Sequence, residues 1–179
     1  MLDVQTIFEK AQLRAGMHIA DFGCGRNGHI VFPSAKIIGD RGVVYAVDIL
    51  KDDLHDLEKR IKDLGFLNVH FVWADMEKKN AITLPPHSLD IAFVVNVLVQ
   101  SENKFAILNN ISRFLKEKGR LVIIDWNKKG LHFGPDEHRF IDFEEIKKWA
   151  KENKFALQED FQAGEYHRGV ILYNMEVKK

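Results

Sequence analysis

A single cysteine, Cys24, stands in 179 residues. That excludes an intramolecular disulfide and any multi-cysteine metal site, and it suits a reducing compartment. An excess of either charge is also missing: Lys and Arg together number 26, as do Asp and Glu. No long-range field draws the chain to nucleic acid or to an anionic membrane, so neither is an expected partner. Long apolar runs are absent too. Ile91 to Val95 and Leu121 to Ile124 are far too short to cross a bilayer, so membrane insertion is not expected. The opening MLDVQTIFEK carries charge where a signal peptide would have its apolar stretch. No repeat, low-complexity stretch or long linker interrupts the chain. At this length residues 1–179 read as one cytoplasmic domain with a substantial core.

What is present concentrates between His18 and Gly28, reading HIADFGCGRNG. A short apolar run reaches Asp21 and breaks into glycines at 23, 25 and 28, which let the backbone turn sharply and approach a ligand closely. Residues 29–38 predict a helix whose first amides would face an anionic group. The glycine spacing alone is a weak signal, and context strengthens it. A second apolar strand, Val43 to Val47, closes on Asp48, twenty positions after Gly28, where a carboxylate can take both hydroxyls of a ribose. Cys24 reads as a small buried filler and not as a nucleophile.

Elsewhere, Val4, Ile7, Phe8 and Ala11 behind Asp3 predict an amphipathic helix lying against the edge of this cradle. Leu54, Leu57, Ile61 and Leu64 predict another, stopped by Gly65. Val69 to Trp73 and Leu89 to Val95 predict strands, separated by the turn residues Leu84-Pro85-Pro86-His87. Asn103 to Lys116 predicts a helix, Leu121 to Ile124 a buried strand, and Asp142 with Glu145 a capping box. Phe155 to Phe161 and His167 to Met175 predict an antiparallel hairpin. Strands alternating with helices imply a largely parallel α/β sheet covered on both faces. His18 and Asp90 read as structural, and Lys147-Lys148 and Lys178-Lys179 as solvated charge.

With these pieces placed, Val4 to Tyr173 resembles the class I S-adenosylmethionine-dependent methyltransferases, in particular their small ubiquinone/menaquinone-biosynthesis-like group. The resemblance rests on ADFGCGRNG, AVDI, WADMEK, LPPHSLDIAFVVNVLVQ and LKEKGRLVIIDW, in that order. It implies a Rossmann-like fold with a seven-stranded, mostly parallel sheet of order 3-2-1-4-5-7-6, strand seven antiparallel, helices on both faces. It implies S-adenosyl-L-methionine as cofactor and S-adenosyl-L-homocysteine as product; no metal is expected. By the same resemblance, Asp21, Gly23, Cys24, Gly25 and Asn27 lie beneath the methionine part. Asp48 binds the ribose with Ile49 beside the adenine, Asp75 accepts from the adenine amino group, Met76 packs on the ring, and Asn96 closes the site below the sulfonium. The family usually has glycine where Asn27 stands; Asn tolerates a left-handed backbone better than most residues, so the turn is expected to survive.

Methyl transfer from a sulfonium needs alignment above all, and a base only where the acceptor must lose a proton. Acceptor contacts are expected after strand five, at Asp125-Trp126-Asn127 and along residues 131–139. There Trp126 and Phe133 would wall a pocket, and His132 or His138 would supply a base. The plainer reading has Trp126 packing under a loop and both histidines exposed. The expected acceptor is a small, partly apolar molecule. One cysteine argues against a metalloid acceptor. Two rivals remain at this level: a nicotinamide-dependent oxidoreductase, which the same glycines and Asp48 would serve, and a non-catalytic module that keeps the fold. Either a monomer or a homodimer fits the sequence.

Overall fold

The computed structural model describes residues 2–127 and 132–176. Helix α1 (Val4–Ala11) starts on Asp3, whose carboxylate accepts the Thr6 amide at 3.0 Å, and it ends at Gln12 in a left-handed conformation. Then follow β1 (His18–Phe22), α2 (Val31–Ile38), β2 (Val43–Asp48), α3 (Lys51–Asp63) and β3 (Val69–Trp73). After a loop come β4 (Leu89–Val95), a 3₁₀ turn (Leu98–Gln100), α4 (Lys104–Ser112) and β5 (Leu115–Trp126). A second 3₁₀ turn (Glu137–Arg139), α5 (Phe143–Glu152), β6 (Phe155–Gln162) and β7 (His167–Asn174) complete the order.

The strands form one sheet in the order β3-β2-β1-β4-β5-β7-β6. Pairing is parallel from β3 through β5, and β7 runs antiparallel to both β5 and β6. Alternation along the strands sends side chains to two cores. Ile19, Val44, Ile91 and Val122 pack beneath α1, α2 and α3, while Ala20, Val47, Ala92 and Leu121 pack beneath α4 and α5. The fold class expected from the resemblance is the one observed.

Three local expectations need correction. The helix predicted to Lys116 stops at Ser112, and Leu115 instead begins β5, paired with Leu89. The Phe114 carbonyl there accepts the amides of Ser88 and Leu89, at 2.8 and 2.9 Å, so β4 takes the backbone that helical periodicity had claimed. Helix α2 begins only at Val31, without a side-chain cap. Helix α1 lies across one face of the sheet: Phe8 meets Phe93 of β4 edge-on at 5.7 Å, Lys10 pairs with Glu159 of β6, and Val4 and Phe8 border His29, the residue after Gly28. At α5, the Asp142 carboxylate accepts the Glu144 amide, a cap on the second helical residue.

Candidate functional site

The strand order reverses between β1 and β4, and in open α/β sheets ligands bind outside the carboxyl ends of the strands at such a point. A cavity of about 410 Å³ lies there. Its floor is the glycine loop after β1. The Gly23 and Cys24 amides both donate to the Val47 carbonyl, at 2.8 and 3.1 Å, and the Gly25 amide donates to Asp48 Oδ2 at 2.8 Å. Gly23 has φ 82°, and a Cβ there would run into the Val97 side chain. Glycine is therefore required on steric grounds, and its absent side chain leaves the room that Val97 takes in the cavity wall.

Asp48, 7 % exposed, ends β2 with both oxygens engaged once, Oδ2 by Gly25 and Oδ1 by the Leu50 amide at 3.0 Å. A carboxylate oxygen can accept twice, so each keeps capacity for a ligand hydroxyl. Ile49, Asp75 and Met76 line the cavity beside it, and the Met76 carbonyl is held by the Asn110 side chain at 2.9 Å. Asp75 Oδ1 accepts the Glu77 amide at 3.1 Å, while Oδ2 lies 3.3 Å from Lys78.

Sequence reasoning missed several contributors. Asp53, Glu77, Gln100 and Ser101 line the cavity, with Ile107 of α4 as an apolar wall. Glu77 Oε1 accepts the Ser101 hydroxyl at 2.6 Å and the Glu102 amide at 3.2 Å, tying the loop after β3 to the loop after β4. Glu77 and Gln100 sit within the quoted WADMEK and LVQ motifs, but only the folded sheet brings the two loops together. The lining includes four carboxylate residues, Asp48, Asp53, Asp75 and Glu77, and among the described residues no Lys, Arg or His. Such a lining favours a ligand with positive charge and opposes a pyrophosphate.

Other expected residues take different places. Asp21, 2 % exposed, lies beneath the loop and not on the cavity wall, and burial, reinforced by Asp48, pushes its carboxyl up to about 8. Cys24 is buried, and burial with Asp21 and Asp48 nearby raises its thiol, which opposes a nucleophilic role. Asn27 is exposed and outside the lining. The left-handed positions of the loop are Gly23, Gly25 and Gly28, so the turn makes no left-handed demand on Asn27. Helix α2 starts beyond the loop, and its first residues do not reach the cavity. Asn96 follows β4 at φ 57°, its amide bound to the Ile124 carbonyl at 2.9 Å. Its buried Oδ1 has no partner among the described residues, and Val97, its neighbour, reaches the cavity instead.

The structure does not bring Trp126, Phe133, His132 or His138 to this cavity. Trp126 ends β5 and packs on His167 at 4.7 Å, with Tyr166 stacked at 6.3 Å and Phe133 edge-on at 6.2 Å. His132 and His138 are exposed. Leu131 lies outside the described residues. His167 was not foreseen: it is 4 % exposed, both ring nitrogens lack partners among the described residues, and burial lowers its pKa to about 4. Asp125, next to Trp126, accepts the Val99 and Trp126 amides, and burial raises it to about 6.

A parallel sheet with an antiparallel strand inserted before its last, and a glycine loop facing an acid at the end of β2, define a class I methyltransferase fold. The sequence model of the family described as "Methyltransferase domain" matches residues 13–174, and the chain belongs to that family. It is 32 % identical over 127 residues to the ubiquinone/menaquinone biosynthesis C-methyltransferase UbiE of Blochmanniella pennsylvanica, a match covering 69 % of this chain and 48 % of that protein. The chain thus spans about half the length of the curated relatives it matches. Among solved structures, a SAM-dependent methyltransferase from Aquifex aeolicus superimposes with a TM-score of 0.84 at 23 % identity, covering 96 % of this chain and 89 % of that one. A SAM-dependent O-methyltransferase from Thermotoga maritima gives 0.74 at 15 % identity, covering 99 % and 66 %. These two likenesses speak for the fold. The cofactor of such enzymes is S-adenosyl-L-methionine, and the residues present fit it: the glycine backbone at Gly23 and Gly25 in the cavity wall, the spare acceptor capacity of Asp48, the apolar Ile49 and Met76, and the acidic lining.

Proposed function

We propose that the chain, as one catalytic domain, transfers a methyl group from S-adenosyl-L-methionine to a small-molecule acceptor by direct in-line displacement. The observation that carries this is the cavity at the β1/β4 switch point, with Asp48 and the Gly23–Gly25 loop on one side and Asp75 and Met76 on the other. When bound, the cofactor supplies a methyl group on a positively charged sulfur, already activated for displacement. Asp48 would accept the ribose hydroxyls, Ile49 and Met76 would hold the adenine faces, and Asp75 would accept its amino group. The loop from Gly23 to Gly25 would lie under the methionine part, and the carboxylates around it would favour the sulfonium. What the chain contributes is alignment, worth at best ~7 to 11 kcal/mol.

The acceptor is expected at the carboxyl end of β4 and β5, on the side of Trp126 and Phe133. Trp126 ends β5 opposite His167 of β7, and a partly apolar acceptor suits its ring. His132 and His138 would serve as a base only for an acceptor that must lose a proton. A cytoplasmic setting belongs to the same reading and is supported by the single, buried cysteine. The nicotinamide alternative is disfavoured by the acidic lining and by β7 between β5 and β6, where the dinucleotide-binding order runs 3-2-1-4-5-6.

Isothermal titration with S-adenosylmethionine, S-adenosylhomocysteine and NAD tests the reading. Both sulfur nucleotides are expected to bind and NAD is not. Asp48→Asn, which keeps one acceptor oxygen, is expected to weaken binding about 10- to 100-fold, the worth of a charged hydrogen bond, and Asp48→Ala to weaken it further. Preferential NAD binding, or no binding of either sulfur nucleotide, would overturn it.

A further inference from the structure

Trp73, the last residue of β3, is 56 % exposed, yet its indole is fixed at two points. Its Nε1–H donates to the Ile49 carbonyl at 2.8 Å, and the Lys51 ammonium sits 4.2 Å from its ring centroid. These are the residues on either side of Leu50, and Leu50 itself is bound through its amide to Asp48 Oδ1. The turn from Asp48 to Lys51 is thus held from inside by the Asp48 carboxylate and from outside by the Trp73 ring. Among the described residues no other side chain is hydrogen-bonded to it: α3 has no side-chain cap at Leu50, and the ladder between β2 and β3 ends at Asp48 and Trp73, with the Ala74 amide on the Asp48 carbonyl. The Ile49 carbonyl lies one residue beyond the ladder, where the indole takes the place of a further strand amide.

This turn also supplies exposed apolar surface to the cavity. Ile49 is 47 % and Leu50 57 % exposed, and both line it. Two half-exposed aliphatic side chains side by side are poorly hydrated surface that a flat apolar ligand would cover. Their direction is set by the peptide planes that Trp73 and Asp48 hold. We propose that Trp73 is a positioning residue for cofactor binding: through Ile49 and Lys51 it fixes the turn that forms the adenine side of the cavity, without touching the ligand. The inference rests on the cofactor reading given above. It assigns a role to a residue outside the cavity lining, the first of the WADMEK segment, to which the resemblance gives no role.

Trp73→Phe keeps a ring for Lys51 and removes only the N–H. Titration of the full chain with S-adenosylhomocysteine and with adenosine is expected to show roughly three- to tenfold weaker binding of both, the range of one hydrogen bond. Loss on adenosine places the effect at the nucleoside end. In the unaltered protein, the indole ¹H–¹⁵N signal that this substitution deletes is expected to shift on adding S-adenosylhomocysteine, and to exchange with solvent slowly despite the exposed ring. A residue that merely supports the fold would give a signal indifferent to ligand, so this readout decides the matter even if the variant folds poorly. Unchanged affinity in Trp73→Phe, or an indole signal unmoved by bound ligand, would overturn the inference alone. Failure of the unaltered protein to bind any sulfur nucleotide would overturn the cofactor reading and this inference with it.

Discussion

At Gly23, in the cavity wall, there is no room for a methyl group. The backbone there is left-handed, and the Val97 side chain occupies the direction a Cβ would take. Gly23→Ala combines a conformation that L-residues resist with an overpacked contact, and is expected to cost about 2 kcal/mol of stability or more. Because the same contact forms the cavity floor, affinity for S-adenosylhomocysteine should fall together with stability, as denaturant melts and titration of one preparation would show. Asp21 acts through charge instead of shape. Folded, it holds its proton to about pH 8; unfolded, an aspartate releases it near pH 4. Between those values the unfolded state binds fewer protons, so stability falls as pH rises, and above about 8 the penalty is constant. Asp21→Asn should remove that slope and gain on the wild type from pH 6 to pH 8, by at most about 1.4 kcal/mol per pH unit. Parallel slopes for the two proteins in urea melts would refute this. Asp125, raised to about 6, acts in the lower part of the window in both proteins and leaves the difference to Asp21.

Among the elements, the terminal hairpin and α5 are joined by a charge network. Arg168 of β7 reaches Asp160 of β6 at 2.7 Å and Glu144 of α5 at 3.3 Å, and Lys147 of α5 reaches both carboxylates. Hydrogen bonding from Arg168, with Lys147, lowers Asp160 to about 2. The sign is opposite to that of Asp21: this stabilisation is complete above about pH 4 and is lost as pH falls toward 2. Asp160→Asn should therefore cost about 1 kcal/mol at pH 7, discounted for partial exposure, and almost nothing near pH 2. Thermal melts at the two pH values test it. The hairpin itself was legible in the sequence because its two apolar segments are joined by a short turn. The end of α4 was not. Phe114 and Leu115 continue the helical apolar period, and only the amides of Ser88 and Leu89 arriving from β4 turn that backbone into strand.

For the whole molecule, Asp90 ties three neighbouring strands at the end of the sheet opposite the cavity. Its carboxylate accepts the His18 amide of β1 at 2.8 Å and the Lys116 ammonium of β5 at 2.8 Å. Asp90→Ala should destabilise the fold by about 2 kcal/mol, since it leaves a strand amide and a cation without their acceptor. Affinity for S-adenosylhomocysteine should stay unchanged, which separates loss of fold from loss of site. The sequence by itself determined what depends on local pattern: strand and helix periods, the glycine break after Asp21, the acid at the end of β2, and through these the family. Tertiary structure alone decided what depends on meeting across the sheet. Glu77 reaches the cavity because Ser101 holds it, Val97 because Gly23 makes room, and Ile49 points where it does because Trp73 grips its carbonyl. It also kept Trp126 and Phe133 apart from the cavity, packed with Tyr166 and His167 from the turn and first residue of a strand some forty residues later. Periodicity records which face of an element is apolar. Which neighbour that face meets is set by the order of the strands, and that order is a property of the folded sheet.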